Sequence, residues 1–164
     1  MGLCCICAEN KILIMEVVMR EHEYRGLGKK YGHWVYGNLV KTAPDSKNER
    51  RYYIVADPVF IPAISFPAER FIEIIPETLG EYIGKEDKNG IDIYGGDVAK
   101  WHSTEDGKDV IGLISYNEEK ACFFHRNMPI SKVLESGFYQ PKKGCCNLEI
   151  IGTKHENPEL LEAE

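Results

Sequence analysis

The fold class of this chain is decided by the stretch Asp87-Lys88-Asn89-Gly90-Ile91-Asp92-Ile93-Tyr94-Gly95-Gly96-Asp97-Val98-Ala99-Lys100-Trp101. Its Asn-Gly pair supplies the two positive-φ positions of a type I′ turn, the turn that joins adjacent antiparallel strands. A tight hairpin is therefore predicted at residues 87–90. Residues 97–101 follow as a predicted strand.

More short strands are predicted beyond the hairpin. They span residues 110–116 and 121–125, and the turn-rich stretches 103–108 and 117–120 separate them. Several short strands at this spacing are typical of a small barrel, which we predict to be SH3-like.

One short helix is predicted after these strands. Pro129 suits the first helical position, Ile130, Val133 and Leu134 fall on one face, and Gly137 lies just beyond the end. A last strand is predicted over residues 148–152, and Asn157 is expected to cap a turn that starts at Pro158.

The N-terminal half also has the composition of β structure. Strands are predicted over residues 34–40, 52–56 and 71–75, with a charged loop at 41–51. Three prolines make residues 58–67 an irregular crossing, and a subdomain boundary is expected near 76–83. The predicted class is mainly β (α+β), with a β-rich N-terminal half and a small SH3-like barrel with one short helix in the C-terminal half.

The first 18 residues differ in composition from the rest of the chain. We interpret residues 1–18 as an N-terminal extension and residues 19–164 as one domain. The alternative is an added strand that packs on the domain, because Ile12, Ile14 and Val17 can line one face.

The net charge and the hydropathy of the chain argue against two classes of protein, those that bind nucleic acid and those that span a membrane. The 164 residues carry a net charge of -6, which argues against nucleic-acid binding because that affinity comes chiefly from clustered Lys and Arg. No stretch approaches the roughly 18 consecutive apolar residues of a membrane helix, so we expect a cytoplasmic protein without a membrane partner.

The sequence shows no catalytic, cofactor-binding or metal-binding constellation. Cys4 and Cys7 have C-x2-C spacing, but a second pair would have to come from the Cys145-Cys146 doublet or from the dispersed histidines, so the six cysteines (Cys4, Cys5, Cys7, Cys122, Cys145 and Cys146) are expected to be reduced thiols rather than zinc ligands. The five histidines (His22, His33, His102, His125 and His155) are dispersed, and each is expected to be a surface or half-buried residue. No serine stands in a Gly-x-Ser-x-Gly elbow. We therefore expect no enzyme and no cofactor.

Three further patterns have simpler interpretations. Residues 87–98 resemble a calcium loop, but Gly90 is fourth and Val98 twelfth, where an EF-hand needs Gly sixth and Glu twelfth. Residues 26–30 are interpreted as a solvated basic turn rather than a phosphate loop. The aromatic residues of the strands are expected in the core rather than on a base-stacking platform: Tyr52, Tyr53, Trp101, Tyr116, Phe123, Phe124, Phe138 and Tyr139.

A family resemblance rests on three pieces that stand in order along the chain. The central piece is residues 84–98, with Asp-Lys-Asn-Gly, Ile-Tyr and Gly-Asp-Val; residues 34–37 precede it, and residues 149–152 and 156–161 follow it. Together they resemble the YopX family of phage and prophage proteins over residues 19–161. Gly95 stands where an acidic residue is usual, and residues 1–18 have no counterpart.

The resemblance implies a phage-associated protein that forms homo-oligomers, and it supplies no catalytic residues. We therefore expect an accessory protein that acts without catalysis, through self-association and through binding a phage or host protein. The apolar run at residues 59–66 also favours self-association. The alternative is a small-barrel nucleic-acid-binding protein, for which the available cations are Lys100, Arg126, Lys132, Lys142 and Lys143.

Overall fold

The structure is a computed structural model that describes residues 23–55, 70–102, 107–135 and 148–162. It contains eleven strands and one α-helix. The strands are β1 (Tyr24–Leu27), β2 (Trp34–Lys41), β3 (Tyr52–Val55), β4 (Phe71–Glu73), β5 (Gly80–Glu86), β6 (Asp92–Tyr94), β7 (Asp97–His102), β8 (Asp109–Asn117), β9 (Cys122–His125), β10 (Met128–Pro129) and β11 (Leu148–Thr153). The helix α1 spans Ile130–Glu135, and 3-10 turns span Pro76–Thr78 and Pro158–Leu161.

The first sheet has the order β4-β3-β2-β1-β5-β6, and each pair of neighbouring strands is antiparallel. Past the end of β4, Ile74 forms an isolated antiparallel bridge with Gly28, which follows β1. The core of this sheet is built on Val35, Ile54 and Ile74. A Cβ at Gly26 would lie 2.6 Å from Cδ1 of Ile74, so β1 needs glycine there to approach this core.

The second sheet has the antiparallel order β10-β9-β8-β7-β11. Its core contains Ile93, Trp101, Ile114, Phe123 and Leu148, which are each at most 7% exposed. Helix α1 contributes Val133 to the same core. The chain passes from the first sheet to the second at Gly95 and Gly96, between β6 and β7.

The predicted class is confirmed at the level of a mainly β chain with two antiparallel sheets and one short helix. The predicted strands at 34–40, 71–75, 97–101, 110–116, 121–125 and 148–152 correspond to β2, β4, β7, β8, β9 and β11. Residues 52–55 of the strand predicted at 52–56 form β3. The strand pairs of the described residues include none between β10 and β11, so the SH3-like barrel stays a prediction.

The predicted turn type at residues 87–90 is wrong. Gly90 has a φ of 79°, but among described non-glycine residues positive φ occurs at Asn48, Ala121 and Arg126, and Asn89 is not one of them. The loop has three residues, Lys88 to Gly90, and the backbone N–H of Asp87 donates to the carbonyl of Ile91 at 2.8 Å. A loop of this length places its left-handed residue last, which is why Gly90 alone takes positive φ.

Two other local predictions need correction. Residues 26–30 are not a single basic turn, because Gly26 and Leu27 belong to β1 and the chain turns only after Gly28. The Asn157 side chain makes no capping hydrogen bond to the turn that Pro158 starts. Instead its Oδ1 lies 2.4 Å from where a Cβ at Gly152 would stand, so it occupies the space that glycine leaves.

Some predictions fall outside the described residues or are not decided by them. Residues 1–18, 58–67, Gly137 and every cysteine except Cys122 lie outside the described ranges. Residues 76–83 form a 3-10 turn and the start of β5, which pairs with β1; a subdomain boundary there stays a prediction. In the described part of the chain, no helix is long and apolar enough to cross a membrane.

Candidate functional site

The two sheets meet at a buried ion pair. Arg25 of β1 pairs with the carboxylate of Asp97, which begins β7 and is fully buried. The Arg25 guanidinium lies 4.8 Å from the ring centres of both Trp34 and Tyr94, so two aromatic faces enclose it. Burial raises the pKa of the Asp97 carboxyl, while the charge of Arg25 and the N–H of Tyr94, donating to Asp97 Oδ2 at 2.8 Å, oppose that rise.

A second buried carboxylate, that of Asp87, organises the hairpin between β5 and β6. Its Oδ1 accepts hydrogen bonds from the backbone N–H groups of Asn89 and Ile91, at 2.7 and 3.0 Å. Its Oδ2 accepts one from the N–H of Ile150 in β11, at 3.0 Å. A short acidic side chain that closes its own turn in this way explains why Asp occupies position 87. The same carboxylate joins the hairpin to the second sheet.

The segment after β11 completes this junction. The indole N–H of Trp34 donates to Glu156 Oε1 at 3.0 Å, and the N–H of Glu156 donates to Thr153 Oγ1 at 3.1 Å. His155 packs against the Trp34 ring, with ring centres 6.5 Å apart, and burial lowers its pKa. The two contacts of Trp34 join β2 of the first sheet to residues that follow the second, and the hydrogen bond to Thr153 ties Glu156 to the end of β11.

Apolar side chains are exposed together on one face of the first sheet. We define the outer aromatic face as Tyr36, Val40, Tyr53, Val55 and Phe71. Val40 stands directly opposite Tyr53, and Val55 opposite Phe71, while the rings of Tyr53 and Phe71 are 6.5 Å apart in an edge-to-face arrangement. Tyr36, Val40 and Phe71 are 45%, 36% and 37% exposed. Directly opposed residues on one face are contacting neighbours, so Val40 with Tyr53 and Val55 with Phe71 form two contacting pairs, while Asn38 lies between Tyr36 and Val40 on β2.

A cleft of about 400 Å³ lies between the two sheets. We define the inter-sheet cleft by its apolar walls, Leu39, Leu79, Leu113 and Phe123, and by two cations, Lys41 and Lys154. Leu39 and Leu79 also pack on the core of the first sheet, so part of that core reaches solvent here. The glycines at the sheet crossing, Gly95 and Gly96, form its backbone floor.

Comparison with protein families gives a match to the family described as YopX protein over residues 23–162. The chain belongs to the YopX family. Its fold is similar to the crystal structure of protein EF1440 from Enterococcus faecalis, with a TM-score of 0.53 and 22% identity over 87% of this chain and 99% of that one. No curated protein matches the chain significantly.

The residues that carry the YopX resemblance are structural in this chain. Asp87 and Asp97 are fully buried acceptors, Gly90 provides the left-handed turn position, and Trp34 and Glu156 bond to each other. These residues of the family pattern thus lie at the junction of the two sheets. These positions can be identified from the sequence, whereas Arg25 cannot, because a single arginine in a glycine-rich run gives no signal of burial.

The histidines of the YopX chain are placed differently from one another. His33 and His102 are exposed and His155 is half-buried, as predicted, whereas His22 is outside the described residues. The prediction was wrong for His125, which is 2% exposed and donates from Nε2 to the carbonyl of Ala99 at 2.9 Å. Burial lowers its pKa, since the interior disfavours the imidazolium form. Across the described ranges, no three potential metal ligands come together.

The described aromatic residues and cations that could serve nucleic-acid binding lie in different environments. Trp101, Phe123 and Phe124 are buried in the core as predicted, whereas Tyr116 is 51% exposed. Lys100 is ion-paired with Glu149 at 3.2 Å. Arg126 and Lys132 are exposed; Phe138, Tyr139, Lys142 and Lys143 are outside the described residues.

Proposed function

We propose that this YopX chain is a non-enzymatic accessory protein of a phage or prophage, acting in the cytoplasm through self-association and protein binding. The observation that carries this proposal is the outer aromatic face. Its contacting apolar side chains lie on a rigid antiparallel sheet, and exposed patches of this kind mark protein interfaces. The SH3-like barrel of the C-terminal half belongs to the same proposal, supported by five short strands in antiparallel order.

The outer aromatic face is suited to pairing with a copy of itself. Tyrosine and phenylalanine bury a large area with little loss of side-chain freedom, and a two-fold interface needs a self-complementary patch. Both charge signs border the face: Glu73 stands opposite Tyr53 and pairs with Lys29 at 3.0 Å. A mixed border of this kind allows two copies to approach without repulsion between like charges.

The buried family residues support the non-enzymatic part of the proposal. Catalytic carboxylates act on a substrate and therefore need access to it. The carboxylates of Asp87 and Asp97 are instead committed to backbone N–H groups and to Arg25 inside the fold. These residues of the family pattern thus stabilise the fold, and we assign the function to the exposed surface of the chain.

Light scattering after size exclusion tests self-association. We expect the wild-type chain to have a mass above that of the monomer, and Val40→Lys to shift it toward the monomer, since a charge would be buried in the paired face. Ile111→Lys is the matched control, because Ile111 on β8 is 37% exposed and Val40 is 36% exposed. A monomeric wild-type chain at high concentration, or equal effects of the two substitutions, would refute the role of this face.

A further inference from the structure

We propose that the inter-sheet cleft binds an extended segment of a partner protein that presents a carboxylate next to an apolar side chain. This inference deepens the proposed protein-binding function and rests on it. It uses a surface different from the outer aromatic face, so the two can be tested separately.

The cleft contains two lysines, Lys41 and Lys154. Lys154 is half-buried, and Lys41 is exposed with its Nζ 5.7 Å from the Tyr52 ring centre. Within the described ranges, no ion pair involves either lysine, although Lys29, Lys88 and Lys100 are all paired. A lysine that lies beside apolar side chains and has no counter-ion is a site where a ligand carboxylate can form a charge-assisted hydrogen bond.

The position of Lys154 is fixed by the crossing between the sheets. Its backbone N–H donates to the carbonyl of Gly96 at 3.0 Å, and its Cε lies 3.7 Å from where a Cβ at Gly96 would stand. The stem of the lysine therefore lies over the glycine, and Lys154 is part of the lining of the cleft. Gly96 has a φ of 91°, which also favours glycine at this point.

The walls of the cleft define the rest of the ligand. Leu39 and Leu79 from the first sheet face Leu113 and Phe123 from the second, so an apolar side chain has partners on both sides. A volume of about 400 Å³ suits one or two side chains of a peptide. The net charge of -6 and the presence of Glu81 in the lining disfavour a polyanion such as nucleic acid, which needs a row of cations.

Nuclear magnetic resonance of the isotope-labelled full chain tests this site. The probes are a short, otherwise neutral peptide that carries one Leu-Glu pair (the acidic peptide), its counterpart with a Leu-Gln pair (the Leu and Gln peptide), and a short oligothymidylate. We expect the acidic peptide to shift the backbone amides of Gly96, Leu113 and Ser115, and Lys154→Gln to weaken its binding roughly tenfold. Lys85→Gln is the control, because Lys85 is exposed on β5 and does not line the cleft.

Three outcomes would overturn the cleft inference: no shift of these amides, equal affinity for the Leu and Gln peptide, or preference for the oligothymidylate. Light scattering on the same samples separates this failure from failure of the proposed function. A self-associating chain that binds no peptide refutes the cleft alone. A monomeric chain that binds the acidic peptide refutes the outer aromatic face and supports the cleft.

Discussion

At the scale of single residues, the two buried carboxylates in the described part of the chain, Asp87 and Asp97, each have defined partners. Asp97 joins Arg25 to the N–H of Tyr94, and Asp87 joins three backbone N–H groups. A buried charge without its partner is far more destabilising than a lost surface charge, because the interior does not solvate it. Stability therefore depends strongly on these two carboxylates.

The first prediction concerns the buried ion pair. We expect Asp97→Asn to lower the free energy of unfolding by about 3–5 kcal/mol, since it leaves the Arg25 charge buried and uncompensated. Urea unfolding measures the change. Lys29→Gln, which breaks a pair whose lysine side chain is 65% exposed, is expected to change it by less than about 1 kcal/mol. Similar losses in the two variants would contradict the assigned role of Asp97.

The second prediction concerns pH. Because burial holds the pKa of His125 below the ordinary value of 6.5, the unfolded chain binds that proton first as the pH falls. The contribution of His125 to the free energy of unfolding is therefore fully present above pH 6.5 and is lost as the pH falls below it. His155, whose pKa burial also lowers, acts in the same direction. Urea unfolding of His125→Gln, whose amide can still donate to Ala99, should show a smaller decrease than wild type; an equal decrease would exclude His125 as the cause.

At the scale of the elements, apolar and β-branched runs in the sequence predict the strands that contribute to the core. Two other strands, β1 and β5, contain glycines and were not predicted. Residues near Gly26 and Gly80 were predicted as turn and boundary, yet they belong to β1 and β5. The reason is a close approach between distant parts of the chain: a Cβ at Gly80 would lie 2.3 Å from the carbonyl oxygen of Gly95. Local propensity cannot reveal such a contact, because it depends on which strands become neighbours. The cleft was unpredictable for the same reason, since its two walls come from different sheets.

The third prediction concerns the turn of the β5–β6 hairpin. Gly90 has a φ of 79°, and a Cβ there would meet only Glu86 Oε2, at 3.8 Å. A side chain at position 90 therefore has enough space, and only the positive φ of the backbone disfavours it. We expect Gly90→Val to lower the free energy of unfolding by about 1–3 kcal/mol. Gly90→Asn should have a smaller effect, because asparagine tolerates left-handed backbone; thermal unfolding that ranks the two variants equally would contradict this account.

At the scale of the whole molecule, two sheets share one junction, and the chain carries a net charge of -6. The mainly β class, the helix and the family could be predicted from the sequence, because they depend on runs and motifs. The way the sheets meet could not, since Arg25 and Asp97 are 72 residues apart. Partner proteins bind at the surface of the molecule, and the motif residues do not identify that surface.

The fourth prediction concerns nucleic acid. We expect weak or no binding of single-stranded and duplex oligonucleotides at about 150 mM salt, because a cationic groove would have to form against the overall negative charge. Fluorescence anisotropy measures it, with Lys154→Gln as a comparison. Tight binding that weakens steeply with added salt would instead favour the nucleic-acid alternative, and Tyr116, Lys142 and Lys143 would be the next residues to substitute.

The loop of the β5–β6 hairpin affects how the protein behaves at high concentration, because it covers hydrogen-bonding groups at the edge of the second sheet. β11 ends its sheet, and the outward N–H of Ile150 and carbonyl of Leu148 would otherwise be open to a strand from another molecule. Asp87 accepts from the former at 3.0 Å, and the N–H of Lys88 donates to the latter at 2.9 Å. The turn thus insulates an edge that would favour aggregation. The loop that closes one hairpin also keeps the far sheet from extending into a neighbouring chain.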